Sequence, residues 1–208
     1  MIDAVYWLNL EKRKDRREHM ETNVIPYLGV PSEIVHRVEA IDATNEDTPS
    51  KRAAGCSLTH LKIWDMAESR KQKTILVLED DFVFVRDPKE FHLLTKRLFE
   101  ELPNFKMCNI AFNSSRPIAL KENKGFYKTT NLQTTSGYIA KVDFLSSMSP
   151  TIMEATKRLQ NNESQSLNAI DMVWKRFQHD SGWIQMERIG IQMESVSDIE
   201  GRNVNYRV

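Results

Sequence analysis

The sequence predicts an α/β fold built as a single domain, with a mostly parallel sheet flanked by helices. Three observations carry this expectation. Short apolar runs recur at residues 4–10 (AVYWLNL), 75–78 (ILVL) and 107–112 (MCNIAF), as expected for strands buried on both faces. Stretches with helical periodicity lie between them. The chain has 208 residues and no internal repeat, low-complexity tract or sharp break in composition, which suits one domain with a sizeable core.

Residues 4–10 form the first buried strand and run directly into EKRKDRREHM, a charge-dense helical segment. Such a helix buries little, so its basic residues suit a solvated face. The turn has a functional alternative. Asn9 ends the strand, and Arg13 and Arg16 stand about one helical turn apart on one side, a good place for an anionic ligand. Residues 33–41 supply a second strand with imperfect alternation, after the turn-like Gly29-Val30-Pro31-Ser32, and residues 42–49 form a polar loop over the sheet. In KRAAGCSLTHLKIWDMAESR, Ser57 is expected to cap a helix whose apolar stripe is Leu58, Leu61 and Trp64. Gly55, just before that cap, allows close backbone approach to a ligand or a packed neighbour. His60 falls in the first turn, where a structural role competes with a catalytic one.

Residues 74–85 (TILVLEDDFVFV) are the stretch richest in chemistry. A buried strand ends in Glu79, Asp80 and Asp81, at the edge where open α/β sheets place their ligands. Three adjacent acids repel one another unless a cation or hydrogen-bond donors compensate. A hard divalent ion shared with phosphate oxygens is one solution; a solvated acidic turn is the alternative. Asp87-Pro88 then starts a helix whose stripe of Phe91, Leu94, Leu98 and Leu102 runs to Pro103.

Residues 107–112 form a further strand that opens into the polar loop 113–117. Residues 125–130 and 136–142 are expected to form a hairpin or neighbouring strands. The intervening TTNLQTTS is rich in hydroxyls and amides, which suit a polyhydroxylated ligand or an ordinary turn. Asp143 is expected to cap a short helix ending at Pro150, followed by a helical piece over 151–159 and a linker over 161–165. Residues 166–177 read as one helix with Leu167, Ile170, Trp174 and Phe177 on its apolar face. Asp171 sits at the edge of that face, so it is either paired with Lys175 or a backbone donor, or it is a catalytic base. Residues 183–186 and 189–193 read as two short strands. The tail SVSDIEGRNVNYRV is either frayed or folded back over a site.

Lys plus Arg and Asp plus Glu number 29 each, so nothing in the charge balance calls for nucleic acid or an anionic membrane. Mean hydropathy is −0.50. No stretch approaches the roughly 18–20 apolar residues of a membrane span, and no signal-like segment opens the sequence. A cytoplasmic protein is the expectation, in the host cytoplasm if the source is viral. Cys56 and Cys108 lie far apart and are expected to be buried thiols in a reducing compartment.

Taken in order, VYWLNLEKRKDR, GCSLTHLKIW, ILVLEDD, SGYIAKVDF and IDMVW resemble the family 25 glycosyltransferases. That family includes bacterial lipopolysaccharide and collagen galactosyltransferases, with relatives in large DNA viruses. Members typically open with INL-x-x-R-x-x-R, continue with a GC-x-x-SH-x-x-x-W helix and then show an apolar strand ending in EDD. Thr59 stands where serine is usual, and the likeness thins after about Asp143. The resemblance implies a GT-A-like (Rossmann-like) fold. It also implies inverting transfer of a hexose from a nucleotide-sugar, by family habit a UDP-sugar, with Mn²⁺ or Mg²⁺, to a glycan or glycoprotein acceptor.

On the same resemblance, Asp81 is the metal ligand, Asp80 a ribose or metal contact and Glu79 its support. Asn9, Leu10, Arg13 and Arg16 lie by the nucleotide, and Gly55, Ser57, Thr59 and His60 border the donor pocket. Asp198, ahead of His179, is the late third metal contact, Arg202 holds the diphosphate, and Asp171 is the base. Residues 1–112 would be the nucleotide-sugar half and 113–208 the acceptor side with the tail. Two other classes compete. A Mg²⁺-dependent nucleotidyl- or phosphoryl-transfer enzyme would more typically carry a glycine-rich phosphate loop, and residues 4–16 contain no glycine. An inactive glycan-binding domain would have less reason to retain three acids.

Overall fold

The computed structural model describes residues 1–113, 118–120 and 124–204. In chain order the elements are β1 (Ala4–Asn9), α1 (Lys14–His19), β2 (Val35–Glu39), α2 (Pro49–Ser69), β3 (Thr74–Glu79), β4 (Phe82–Phe84), α3 (Pro88–Glu101) and β5 (Met107–Ala111). They continue with β6 (Ile118–Ala119), β7 (Phe126–Lys128), β8 (Gly137–Lys141), α4 (Val142–Gln160), α5 (Gln165–Asn168), α6 (Ile170–Val173), β9 (Trp183–Gln192), β10 (Ser195–Ser197) and β11 (Arg202–Val204). A π-helical turn (Met20–Val24) and 3₁₀ turns (Ile25–Tyr27, Ser32–Ile34, Trp174–Phe177) fill short connections.

Nine strands form one sheet in the order β2-β1-β3-β8-β5-β9-β7-β6, with β4 pairing to β9. Pairings β1–β2, β1–β3 and β5–β9 are parallel and the others antiparallel, so β8, β7 and β4 run against the remaining six strands. Alternate residues of β1 and β3 bury in opposite layers. Tyr6, Leu8, Ile75 and Val77 pack with Leu61, Trp64, Leu145 and Trp174, whereas Val5, Trp7, Leu76 and Leu78 pack with Met20, Phe91, Leu94 and Leu98. Burial on both faces explains why these strands read as unbroken apolar runs. No helix among the described residues is long and apolar enough to cross a membrane.

Several boundaries differ from expectation. Ser57 does not cap α2. Thr48 does, accepting from Lys51 N at 3.4 Å with Pro49 in the first turn, and Ser57 lies buried inside the helix. Strands β7 and β8 are not neighbours; β5 and β9 lie between them. Helix α4 runs through Pro150 without ending, with Lys141 rather than Asp143 at its N-cap. The helix expected over 166–177 breaks at Ala169, whose extended ψ of 147° divides α5 from α6, and Leu167 is 68% exposed rather than part of an apolar face. The two short strands at 183–193 are one, β9. The tail folds back as the hairpin β10–β11. Asn113 lies beside the cleft, whereas the rest of the expected loop, 114–117, lies outside the described residues.

Candidate active site

A cleft of about 590 Å³ opens at the carboxyl ends of β1 and β3. Its walls come from the β1 end, the loop after β2, one face of α2, the acids after β3, residues 133–135, α5–α6 and the β10–β11 hairpin. Both halves of the chain therefore contribute.

Asp80 faces the first strand. Its Oδ2 accepts from Asn9 Nδ2 at 2.7 Å and its Oδ1 from Arg16 Nη1 at 2.8 Å. Arg37 in turn donates to Asn9 Oδ1 at 2.9 and 3.1 Å and pairs with Glu11, which fixes the Asn9 amide. Burial still raises the Asp80 carboxyl above its ordinary range, against the pull of Arg16 and Asn9.

Asp81 is 4% exposed. Its Oδ2 accepts from Gln192 Nε2 at 3.0 Å and lies 3.3 Å from Arg16 Nη1. Its Oδ1 is buried and has no hydrogen-bond partner among the described residues. Burial, then the charge of Glu79, outweighs Arg16 and pushes the Asp81 carboxyl up to about 7. A buried carboxylate oxygen without a donor is costly unless something else compensates it. A hard cation does so, and the oxygen donor fits Mn²⁺ or Mg²⁺.

Glu79 turns the other way. His60 Nε2 at 3.3 Å, Cys56 Sγ at 3.9 Å and Thr135 Oγ1 all bond to its Oε1. Burial works against the Glu79 charge, but the bonds from His60 and Thr135 win and hold its carboxyl below the usual range. Burial, followed by the charges of Glu79, Asp171 and Asp81, pushes the Cys56 thiol well up.

Asp171 lines the cleft on α6. Its Oδ2 accepts from Thr134 N at 3.2 Å, and no Lys or Arg among the described residues pairs with it within 4.0 Å. Burial raises its carboxyl, only partly offset by the Thr134 bond and the Lys175 charge. Thr134 has φ of +71°, an uncommon conformation for a β-branched residue. Its hydroxyl reaches Ser136 Oγ at 2.8 Å and Gln192 Oε1 at 3.4 Å.

Of the residues singled out from sequence, Asn9, Leu10, Arg16, Thr59, Glu79, Asp80, Asp81, Asp171 and Asp198 line the cleft. Arg13 contributes indirectly, binding Asp198 Oδ2 through Nη1 at 2.6 Å. Gly55 does not line it. Its absent side chain lets the loop after β2 cross α2, since a Cβ would meet Ala43 Cβ at 2.8 Å and Ile41 O at 2.9 Å. Ser57 bonds back to Ala53 O inside the helix, and His60 is fully buried behind Glu79. Arg202 and His179 are exposed and away from the cleft wall. Sequence reasoning did not single out Arg37, Thr134, Thr135 and Gln192. Thr134 and Thr135 lie in the hydroxyl- and amide-rich 129–136 stretch, whereas Arg37 and Gln192 carry no local signal.

The family description "Glycosyltransferase family 25 (LPS biosynthesis protein)" matches residues 2–180. A Drosophila melanogaster "Glycosyltransferase 25 family member" is 29% identical over 102 residues, covering 40% of this chain; the match spans only 16% of the fly protein. A solved glycosyltransferase involved in glycosylation of the major capsid of PBCV-1 shares the fold, with a TM-score of 0.56 at 12% identity over 96% of each chain. That architecture is GT-A-like, and the family match extends over both halves that build the cleft, so the chain belongs to glycosyltransferase family 25.

Proposed function

We propose that the cleft transfers a hexose from a UDP-sugar to a hydroxyl of a glycan or glycoprotein acceptor, with a divalent cation. The observation that carries this reading is the buried Asp81 Oδ1 just after β3, without a partner among the described residues, on a carboxylate beside Arg16 in the cleft. Asp81 would hold Mn²⁺ or Mg²⁺, with Asp198 as the second oxygen ligand. Bound there, the ion would supply Lewis-acid neutralisation of the leaving diphosphate. Arg16 adds positive charge beside the same acids, and Asn9 and Asp80 face the nucleotide end.

Asp171 is the base. Its raised carboxyl and the absence of a cationic partner within 4.0 Å among the described residues suit proton acceptance. The acceptor oxygen bonds to the anomeric carbon, the bond to the diphosphate breaks, and the acceptor proton passes to Asp171. The result is inversion.

The experiment is a panel of UDP- and GDP-sugars with Mn²⁺, assayed for nucleotide release with and without chelator. Release confined to UDP-sugars and abolished by chelator is expected. Asp171→Asn should leave donor affinity nearly intact while turnover falls by at least about 100-fold. Turnover of no donor, together with an Asp81→Asn variant that behaves as wild type, would remove the enzyme reading.

A further inference from the structure

Cys56, His60 and Glu79 place three donor atoms within 4.8 Å of one another. Such a tripod suits either a soft metal ion or a hydrogen-bond cradle, and the bonds behind His60 decide between them. Trp64 Nε1 lies 2.9 Å from Tyr138 Oη, and an indole nitrogen only donates. Tyr138 therefore accepts there and turns its single proton to its other partner, His60 Nδ1, also at 2.9 Å. With Nδ1 accepting, the ring proton sits on Nε2, the nitrogen 3.3 Å from Glu79 Oε1. A metal at that nitrogen would have to displace the proton and reverse the Tyr138 bond, so the hydrogen-bond cradle is the arrangement the surroundings favour. Trp64, Tyr138 and His60 are each at most 1% exposed, so the relay is dry and its partners cannot be exchanged for water.

The relay acts on one oxygen. His60 Nε2, Thr135 Oγ1 and Cys56 Sγ all converge on Glu79 Oε1. Oε2 has no hydrogen-bond partner among the described residues and is not a buried atom, so on a side chain 14% exposed it is the oxygen open to the cleft. The bonds to Glu79 come from His60, Cys56 and Thr135 rather than from Asn9 and Arg16, and its charge acts on Asp171. With Asp171 as the base and Asn9 and Asp80 facing the nucleotide, as proposed above, that would be the sugar end of the cleft.

We propose that Glu79 Oε2 accepts a hydrogen bond from a hydroxyl of the transferred sugar, and that Trp64, Tyr138 and His60 are positioning residues that hold this carboxylate. The proposal rests on the transferase reading above. His60→Asn keeps an acceptor near Nδ1 for Tyr138 but removes the donor to Glu79, whereas His60→Gln places an amide N–H near Nε2.

The test measures binding of UDP-galactose and UDP-glucose against UDP alone, each with Mn²⁺. His60→Asn should weaken the UDP-sugar about tenfold and leave UDP unchanged, and His60→Gln should recover most of the loss. Glu79→Gln, which leaves the relay in place, should give the same selective loss without touching the core. A structural role alone would weaken UDP and UDP-sugar together; that result, or no rescue by glutamine, overturns the proposal. The His60 ¹⁵N spectrum of the ligand-free protein should show the proton on Nε2, and a proton on Nδ1 overturns the relay. Failure of the wild-type protein to bind any nucleotide-sugar would instead strike the transferase reading and the sugar contact with it, while the ¹⁵N result still decides the relay.

Discussion

At the scale of single residues, the three adjacent acids differ in what surrounds them. Asp80 is satisfied by Asn9 and Arg16, Glu79 by donors on one oxygen, and Asp81 is left with a buried oxygen that no donor among the described residues reaches. This difference has a pH signature. The folded-state carboxyl of Asp81, at about 7, lies above its ordinary value of 3.8, so the folded protein binds more protons than the unfolded chain between those values. Chelated protein should lose stability as pH rises from about 4 to 7, by at most about 4 kcal/mol from this group, and then level off. Asp15 and Asp42, held at about 2, act in the opposite sense and only below their ordinary value of 3.8. Denaturant titrations across pH should show a smaller decline in Asp81→Asn, and Mn²⁺ should restore stability to wild type above pH 7 but not to the variant. Equal slopes in the two proteins would contradict the assignment.

At the scale of elements, what the sequence made legible follows from burial. Strands β1, β3 and β5 were readable because both faces are covered, and α3 because Asp87 caps it, Pro88 opens it and Phe91, Leu94 and Leu98 form its buried stripe. The start of α2 was not, because Ala53-Ala54-Gly55 has no apolar stripe and the cap lies well upstream at Thr48. Pro150 failed as a stop because Leu145, Met148, Ile152 and Leu159 keep the helix buried on either side of it, and tertiary packing outweighs the one lost backbone bond. The acids were visible as a motif. Their distant partners, Gln192 to Asp81 and Thr134 to Asp171, depend on chain reversals that no local pattern encodes. Gly55 shows how an element shapes the site without touching it. A methyl group there presses on Ala43 and the Ile41 carbonyl, in a loop that lines the cleft and is pinned by the Ile41 N–H to Thr59 Oγ1 bond at 2.9 Å. Gly55→Ala should cost about 1–3 kcal/mol and raise the donor KM, seen in thermal melts and steady-state kinetics. A stability loss with unchanged KM would separate the loop from donor binding.

At the scale of the whole molecule, the cleft is closed by a part of the chain that the sheet does not need. Hairpin β10–β11 is a separate two-stranded sheet, tied down by its turn to Arg13 and to α2, α4 and α5. Asp198 meets Arg13 at 2.6 Å, the Ile199 carbonyl accepts from Arg52 Nε at 2.6 Å, and Glu200 accepts from Gln165 Nε2 at 3.0 Å. Ile199 also packs on Ala53, Ala54 and Leu159. The family match ends at residue 180, before this hairpin, whereas β9 completes the sheet and Met193 N still bonds Asp81 O at 2.7 Å. A chain ending at Glu194 should therefore keep the nine-stranded sheet and its far-UV circular dichroism. It loses Asp198 and the wall that residues 197–200 give the cleft. Donor affinity should fall about tenfold, the scale of one or two lost charged contacts, while the remaining Asp81 site still responds to Mn²⁺ in a thermal-shift assay. Unchanged donor affinity in the truncated protein would mean that the hairpin only shields the site; loss of the Mn²⁺ response as well would make Asp198, rather than Asp81, the main holder of the ion.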